Sequence, residues 1–247
     1  MKLLLMADNY VGLEITRWLL NGFRTDLALV VTSAKNDIWL ASQEAGVAHT
    51  VFESGEQVLS VMRKRGIDCD IGLLAWWPKI IKEPLLTKPR LGFINTHPSL
   101  LPHNRGKNYN FWAIVEKAPF GVSLHKVEEG IDSGEVIAQL PISYGWEDTG
   151  ESLYEKAKEA MLHLFQETYP AIRNLSFLGK KQNLSLGSFH YAAEMDAASR
   201  IELDKNYQAR DLLNLIRART FAGHPACWFS DAGEEYEVRV EIKRKKQ

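Results

Sequence analysis

MKLLLMADNYVGLEITRWLLNG, residues 1–22, decides the fold. Residues 3–6 are a short continuous apolar run, as in a parallel strand covered on both faces. Residues 11–20 carry apolar side chains at helical spacing, and Asn21-Gly22 is a helix stop. A strand followed at once by an amphipathic helix opens an alternating α/β chain. The apolar run has one lysine and breaks at Asp8, too short for a signal peptide or a membrane span, so the expected setting is cytoplasmic.

Working outward, the same alternation continues. Strands are expected at 27–31, 49–52, 70–74 and 92–95, with helices at 38–44 and 56–64 and a short turn or helix at Leu85-Leu86. This predicts a doubly wound, mostly parallel, twisted sheet over the first hundred or so residues. The pattern then changes to a helix at 108–115, alternating strands at 121–127 and 136–142, and a long helix opened by the N-cap Thr149. Leu153, Ala157, Met161 and Leu164 mark the buried face of that helix. Beyond about residue 180 the chain is more polar. It ends in a small element of one helix, 209–218, and a β-hairpin with strands at 226–229 and 236–242 around Asp231-Ala-Gly. The expected organisation is a catalytic domain, 1–180, and a C-terminal extension, 181–247.

The composition bounds the function. The chain has 247 residues and a net charge of −1, so no global basic field directs it to nucleic acid. Its two cysteines, Cys69 and Cys227, form no CxxC pair, and the seven histidines show no HExxH spacing. No structural metal is expected.

The chemistry-bearing stretch is FINTHPSLLP, residues 93–102. Asn95 and His97 are two apart at the end of a strand, so both side chains project to one side, at the edge where open α/β sheets bind ligands. A second stretch, EEGIDSGEVIAQ at 128–139, places Asp132 between Gly130 and Gly134 on a loop. Taken separately, each also has a plain structural reading, as a strand end and as a turn.

Together, NTHPSLLP and EEGIDSGEVIAQ resemble the formyltransferases that use N10-formyltetrahydrofolate, with His97 and Asp132 separated by 35 positions (132 minus 97). The resemblance runs from about residue 70 to 139, and more loosely back to Met1. That family includes glycinamide ribonucleotide transformylase, methionyl-tRNA formyltransferase and the nucleotide-sugar N-formyltransferases. It implies a Rossmann-like fold and a catalytic group of Asn95, His97 and Asp132. Asn95 and His97 would stabilise charge on the formyl oxygen, and Asp132 with His97 would move protons. It also implies a folate contact at Lys79, Ile80 and Ile81, with Val127 to Asp132, Gly130 included, on the other side. Trp77 would line that pocket or serve as a core aromatic. No metal is implied.

The acceptor amine is narrowed by the same resemblance. Residues 7–12, ADNYVG, hold one glycine and an acid, a poor phosphate cradle for glycinamide ribonucleotide. The 47 residues after Arg200 hold nine Lys/Arg and eight Asp/Glu, little support for an RNA surface. HNRGKNYNFW, 103–112, is similar to the nucleotide-sugar enzymes, whose C-terminal helix and hairpin pair in homodimers. The implied substrate is a dTDP-linked 3- or 4-amino-dideoxyhexose, an O-antigen or surface-polysaccharide precursor. Candidate substrate contacts are Asn9, Tyr10, Arg105, Lys107, Asn108 and Tyr109. The alternatives are a methionyl-tRNA or other small-amine formyltransferase, a formyltetrahydrofolate hydrolase, and a non-catalytic folate- or nucleotide-binding module. The expected partners are folate, the nucleotide-linked amino sugar and a second copy of the chain, with neither nucleic acid nor membrane.

Overall fold

The computed structural model describes residues 1–246. The chain begins β1 (Leu3–Ala7), α1 (Asn9–Gly22), β2 (Leu27–Thr32), α2 (Asp37–Glu44), β3 (His49–Val51), α3 (Gly55–Arg65), β4 (Ile71–Ala75) and β5 (Phe93–His97). It continues with β6 (Arg105–Gly106), α4 (Tyr109–Val115), β7 (Gly121–Lys126), β8 (Val136–Pro141) and α5 (Gly150–Arg173). The remainder forms β9 (Phe189–His190), α6 (Glu194–Ala198), α7 (Ala209–Arg219), β10 (Cys227–Asp231) and β11 (Glu234–Val238).

Seven strands form one sheet in the order β3-β2-β1-β4-β5-β7-β8. The first five are parallel, and β7 and β8 are added antiparallel. The all-apolar run of β1 is explained by its central place, since every one of its side chains is buried. Leu3, Leu5 and Ala7 face α1 and α5, whereas Leu4 and Met6 face Val58 and Met62 of α3. This two-face alternation makes the sheet doubly wound, with two separate cores. Each fully buried leucine contributes roughly 1.5–3 kcal/mol of hydrophobic stabilisation.

Local signals set the element ends. Thr149 and Ser152 form a reciprocal capping box at the start of α5, which buries Leu153, Ala157, Met161 and Leu164 as the spacing predicts. Gly66 closes α3 in the left-handed conformation. Among the described residues no helix is long and apolar enough to cross a membrane.

The hairpin corrects the sequence reading. Its second strand is Glu234–Val238, not 236–242, and Asp231 pairs with Glu234. Ala232 (φ 49°) and Gly233 (φ 86°) are both left-handed, so a two-residue turn closes the hairpin earlier than the apolar alternation of Val238, Val240 and Ile242 suggests. The segment after 180 is also more ordered than its polarity implies. Lys180 bridges to Val136 of β8, and β9 pairs with β6 in a separate two-stranded sheet, which ties the segment to earlier parts of the chain.

Candidate active site

Three elements deliver three polar side chains to one point. Strand β5 carries Asn95 and His97 on the same side, as its period of two requires. The loop between β7 and β8 carries Asp132 in the left-handed conformation (φ 51°), which asparagine and aspartate tolerate better than other non-glycine residues. Asn95 Nδ2 donates to Asp132 Oδ1 at 3.4 Å, and His97 Nδ1 lies 3.4 Å from Asp132 Oδ2. The structure thus brings the three sequence-predicted residues into one cluster.

Sequence reasoning missed a fourth member, His125. It stands directly across the β5–β7 ladder from Asn95. Its Nδ1 donates to the Lys126 carbonyl at 2.8 Å. Its Nε2 lies 3.2 Å from Asn95 Nδ2 and 3.5 Å from Asp132 Oδ1. The signal available was a lone histidine within the expected strand 121–127, but only the strand pairing places it beside Asn95. Two further residues hold the Asp132 loop. The Gly106 N–H donates to Asp132 Oδ2 at 3.0 Å, and Gln182 Nε2 donates to the backbone carbonyls of Asp132 (2.9 Å) and Gly134 (2.7 Å). Gly134 admits no side chain, because a Cβ there would run into the Lys126 carbonyl.

The charge states follow from this packing. Burial pushes His97 below the ordinary histidine value; Asp132 and the Asn104 backbone oppose that, and His125 and Lys107 reinforce it. The imidazole is therefore neutral near pH 7. Burial alone would raise the Asp132 carboxyl, but the facing His97, His125 and the Gly106 N–H outweigh it and hold the group well below the usual carboxylate range. Asp132 is thus an ionised carboxylate among donors. Among the described residues, the buried His97 Nε2 within the cluster and Gln182 Oε1 on the residue that holds the Asp132 loop have no partner. An unpaired buried polar atom beside a carboxylate suits a ligand site, since buried polar atoms are nearly always paired. A neutral imidazole with a free Nε2 beside a carboxylate can polarise a carbonyl oxygen or relay a proton.

The remaining candidates divide between the two faces of the sheet. On the α3 side, Trp77, Ile81 and Val127 share one apolar cluster. Trp77 packs edge-on against Phe52 with 9% of its surface exposed. Lys79 Nζ sits over the same Phe52 ring at 5.2 Å, and Ile80 is 74% exposed. Gly130 (φ 101°) lies on the Asp132 loop. On the α1 and α5 side, Asn9 Nδ2 donates to the Trp76 carbonyl at 3.4 Å. Tyr10 is half exposed beneath Lys158 Nζ, 4.5 Å from its ring. Tyr109 reaches the cluster itself, with its ring 5.9 Å from that of His97. Lys107 is exposed nearby, Arg105 lies over the Phe189 ring, and Asn108 donates to the Ala192 carbonyl.

Residues 28–168 match the family model described as formyl transferase, and residues 194–244 match the N-formyltransferase dimerization C-terminal domain. The methionyl-tRNA formyltransferase of Lachnospira eligens is 26% identical over 204 residues, 78% of this chain and 64% of that protein. The dTDP-4-amino-4,6-dideoxyglucose formyltransferase of Mycobacterium bovis is 28% identical over 154 residues, 62% of this chain and 65% of that protein. In both cases the match spans slightly less than two thirds of the relative's length. A solved structure of a 4-N formyltransferase from Francisella tularensis superposes with a TM-score of 0.83 at 23% identity, covering 99% of this chain and 98% of that one. It has the same fold from end to end. With the family model covering more than half of its residues, this chain belongs to the formyl transferase family.

Proposed function

We propose that the protein moves a formyl group from N10-formyltetrahydrofolate to the amine of a dTDP-linked 3- or 4-amino-dideoxyhexose, a surface-polysaccharide precursor, in the cytoplasm. The observation that carries the chemistry is the buried cluster in which ionised Asp132 lies 3.4 Å from both the Asn95 amide and the neutral His97. The amine attacks the formyl carbon, a C–N bond forms to the sugar nitrogen, and the bond to the folate nitrogen breaks. Negative charge grows on the formyl oxygen, where Asn95 and His97 are placed as donors, each worth about 3 kcal/mol on the usual oxyanion scale. The amine loses one proton and the folate nitrogen gains one, and the His97–Asp132 pair is suited to that transfer. The folate supplies only the formyl group.

The two-sided arrangement supports two substrates meeting at this cluster. The residues proposed for folate, Trp77, Lys79, Ile80, Ile81, Val127 and Gly130, lie on the α3 side or on the Asp132 loop. Asn9, Tyr10 and Tyr109, proposed for the sugar nucleotide, lie on the other side, with Arg105, Lys107 and Asn108 on the adjoining loop. The acceptor class rests on the M. bovis relative and on the whole-length likeness to the F. tularensis enzyme. We assign residues 181–247 to a homodimer interface, supported by the dimerization-domain match and by the stacked Phe229 and Tyr236 on the hairpin.

A panel of dTDP-amino sugars with the folate donor, read by mass spectrometry, tests the acceptor. The expected product is one amino sugar heavier by a single formyl group. The L. eligens relative favours methionyl-tRNA as a second reading, so the charged tRNA belongs in the same panel. Turnover of the tRNA alone would overturn the sugar assignment, and formate release without any amine would make the protein a hydrolase.

A further inference from the structure

The segment 187–194 lies across the loop that serves the Asp132 cluster. Arg105 N–H donates to the Ser188 carbonyl at 3.1 Å and Lys107 N–H to the His190 carbonyl at 3.0 Å. Gly106, between them, sends its own N–H to Asp132. Gly106 has φ 89°, and a Cβ there would strike the His190 carbonyl, so only glycine allows this approach. Asn104, the residue before Arg105, has its backbone against His97. The strap thus sets the positions of two groups that touch the cluster.

What holds the strap is a charged knot outside the cluster. His190 Nε2 lies 2.7 Å from Glu116 Oε1, and its Nδ1 lies 2.9 Å from Glu194 Oε2. The ring is stacked on the Trp112 indole, with centroids 3.8 Å apart and planes at 8°. Glu116 Oε2 also accepts from Asn104 Nδ2 at 2.9 Å and from Ser188 Oγ at 2.7 Å. The hydrogen bond from His190 holds the Glu194 carboxyl below the usual carboxylate range. The charged groups facing the His190 ring are Glu116, at the end of α4, and Glu194, on α6; the Trp112 indole stacked on it is neutral, and Lys107 meets His190 through its backbone N–H.

A carboxylate only accepts, so both contacts are hydrogen bonds only when both ring nitrogens carry hydrogen. The imidazolium also gains from the Trp112 face. Removing one proton sets a lone pair against a carboxylate oxygen and opens one side of the knot. We infer that His190, clasped as an imidazolium by Glu116 and Glu194, is a positioning residue: it locks the 187–194 strap on residues 104–107 and so holds Gly106 and Asn104 against Asp132 and His97.

The catalytic arm of the test rests on the proposed formyl transfer, and the exchange arm does not. In the full-length protein, amide protection at 105–107, corrected for intrinsic exchange, should fall roughly tenfold in His190→Gln, which keeps at most one of the two carboxylate contacts, against the parent at the same pH. Amides of β1 and β4, away from the strap, should keep their parental protection in that variant. The same variant should lose about ten- to a hundredfold in kcat, with KM for the formyl donor within about twofold. Should His190→Gln not fold, Glu194→Gln, altered at a partly buried side chain, should lower protection at the same amides by a smaller factor. Parental protection at 105–107, or full kcat, in His190→Gln would overturn the inference. Loss of protection at 105–107 in His190→Gln, in a protein without any formyl transfer, would keep the lock and refute the proposed reaction instead.

Discussion

Asp132→Asn changes one atom at the centre of the cluster. The carboxylate now accepts from Asn95 Nδ2 through Oδ1 and from Gly106 N–H through Oδ2, while facing His97 and His125. An amide has only one accepting oxygen. If its nitrogen takes the Oδ2 place it confronts the Gly106 N–H, and if it takes the Oδ1 place it confronts Asn95. One buried donor loses its partner in either orientation, at a cost of about 1–3 kcal/mol. The proton acceptor beside His97 is lost as well. Loss of one oriented group on the oxyanion scale, about 2.7–4 kcal/mol, makes the expected fall in kcat about 10²–10³-fold. The pH dependence has a definite sign. Asp132 opposes the depression of His97 by burial more than the Asn104 backbone does, so removing its charge lowers the His97 value further and moves the acid limb of kcat to lower pH. Quenched-flow transfer of radiolabelled formyl at saturating substrates, across about pH 5–9, measures both effects. A rate within a few-fold of the parent, or an acid limb displaced to higher pH, would refute the assignment of Asp132.

Other expectations concern stability and assembly. The Asp132 carboxyl is depressed in the folded chain, so its contribution is complete above its unfolded value of about 3.9 and is lost as pH falls below it. A scan of thermal midpoint against pH should therefore drop less steeply below about pH 4 in Asp132→Asn than in the parent. Tyr169→Phe removes a 2.9 Å hydrogen bond to buried Asp26, which Arg173 still contacts at 2.7 Å. It should cost about 1–2 kcal/mol, read as a shift of about 2–8 °C in the melting midpoint. Gly134→Ala forces a Cβ into the Lys126 carbonyl, so it should displace the Asp132 loop and lower kcat more than tenfold. Light scattering should find a dimer; a single 28.0 kDa species at micromolar concentration would rule out the proposed assembly.

What the sequence carries and what it withholds divide along physical lines. Strands β1, β2, β4 and β5 are legible because a parallel strand covered on both faces must be apolar throughout. Asn95 and His97 are legible because they break that rule at the sheet edge, two residues apart. Asp132 is flagged by its flanking glycines, but its approach to His97 depends on the 35 intervening positions and emerges only from the fold. His125 was hidden because the cross-strand register that sets it opposite Asn95 is a long-range property. The 187–194 strap carries no periodicity, since its β9 is two residues long and its hold comes from His190 and the two glutamates. In the hairpin, the left-handed Ala232-Gly233 pair prevailed over an apolar alternation that continues past the true strand.

The central claim is that Asn95, His97 and Asp132 perform the transfer and do not merely hold substrate. Single-turnover transfer by His97→Asn, measured together with equilibrium binding of the formyl donor and the amino-sugar nucleotide, tests it most directly. The account expects both substrates to bind within about threefold of the parent while the transfer step slows by at least about 10²-fold. Transfer at near-parental rate, or a loss of binding that accounts for the whole loss of rate, would contradict it.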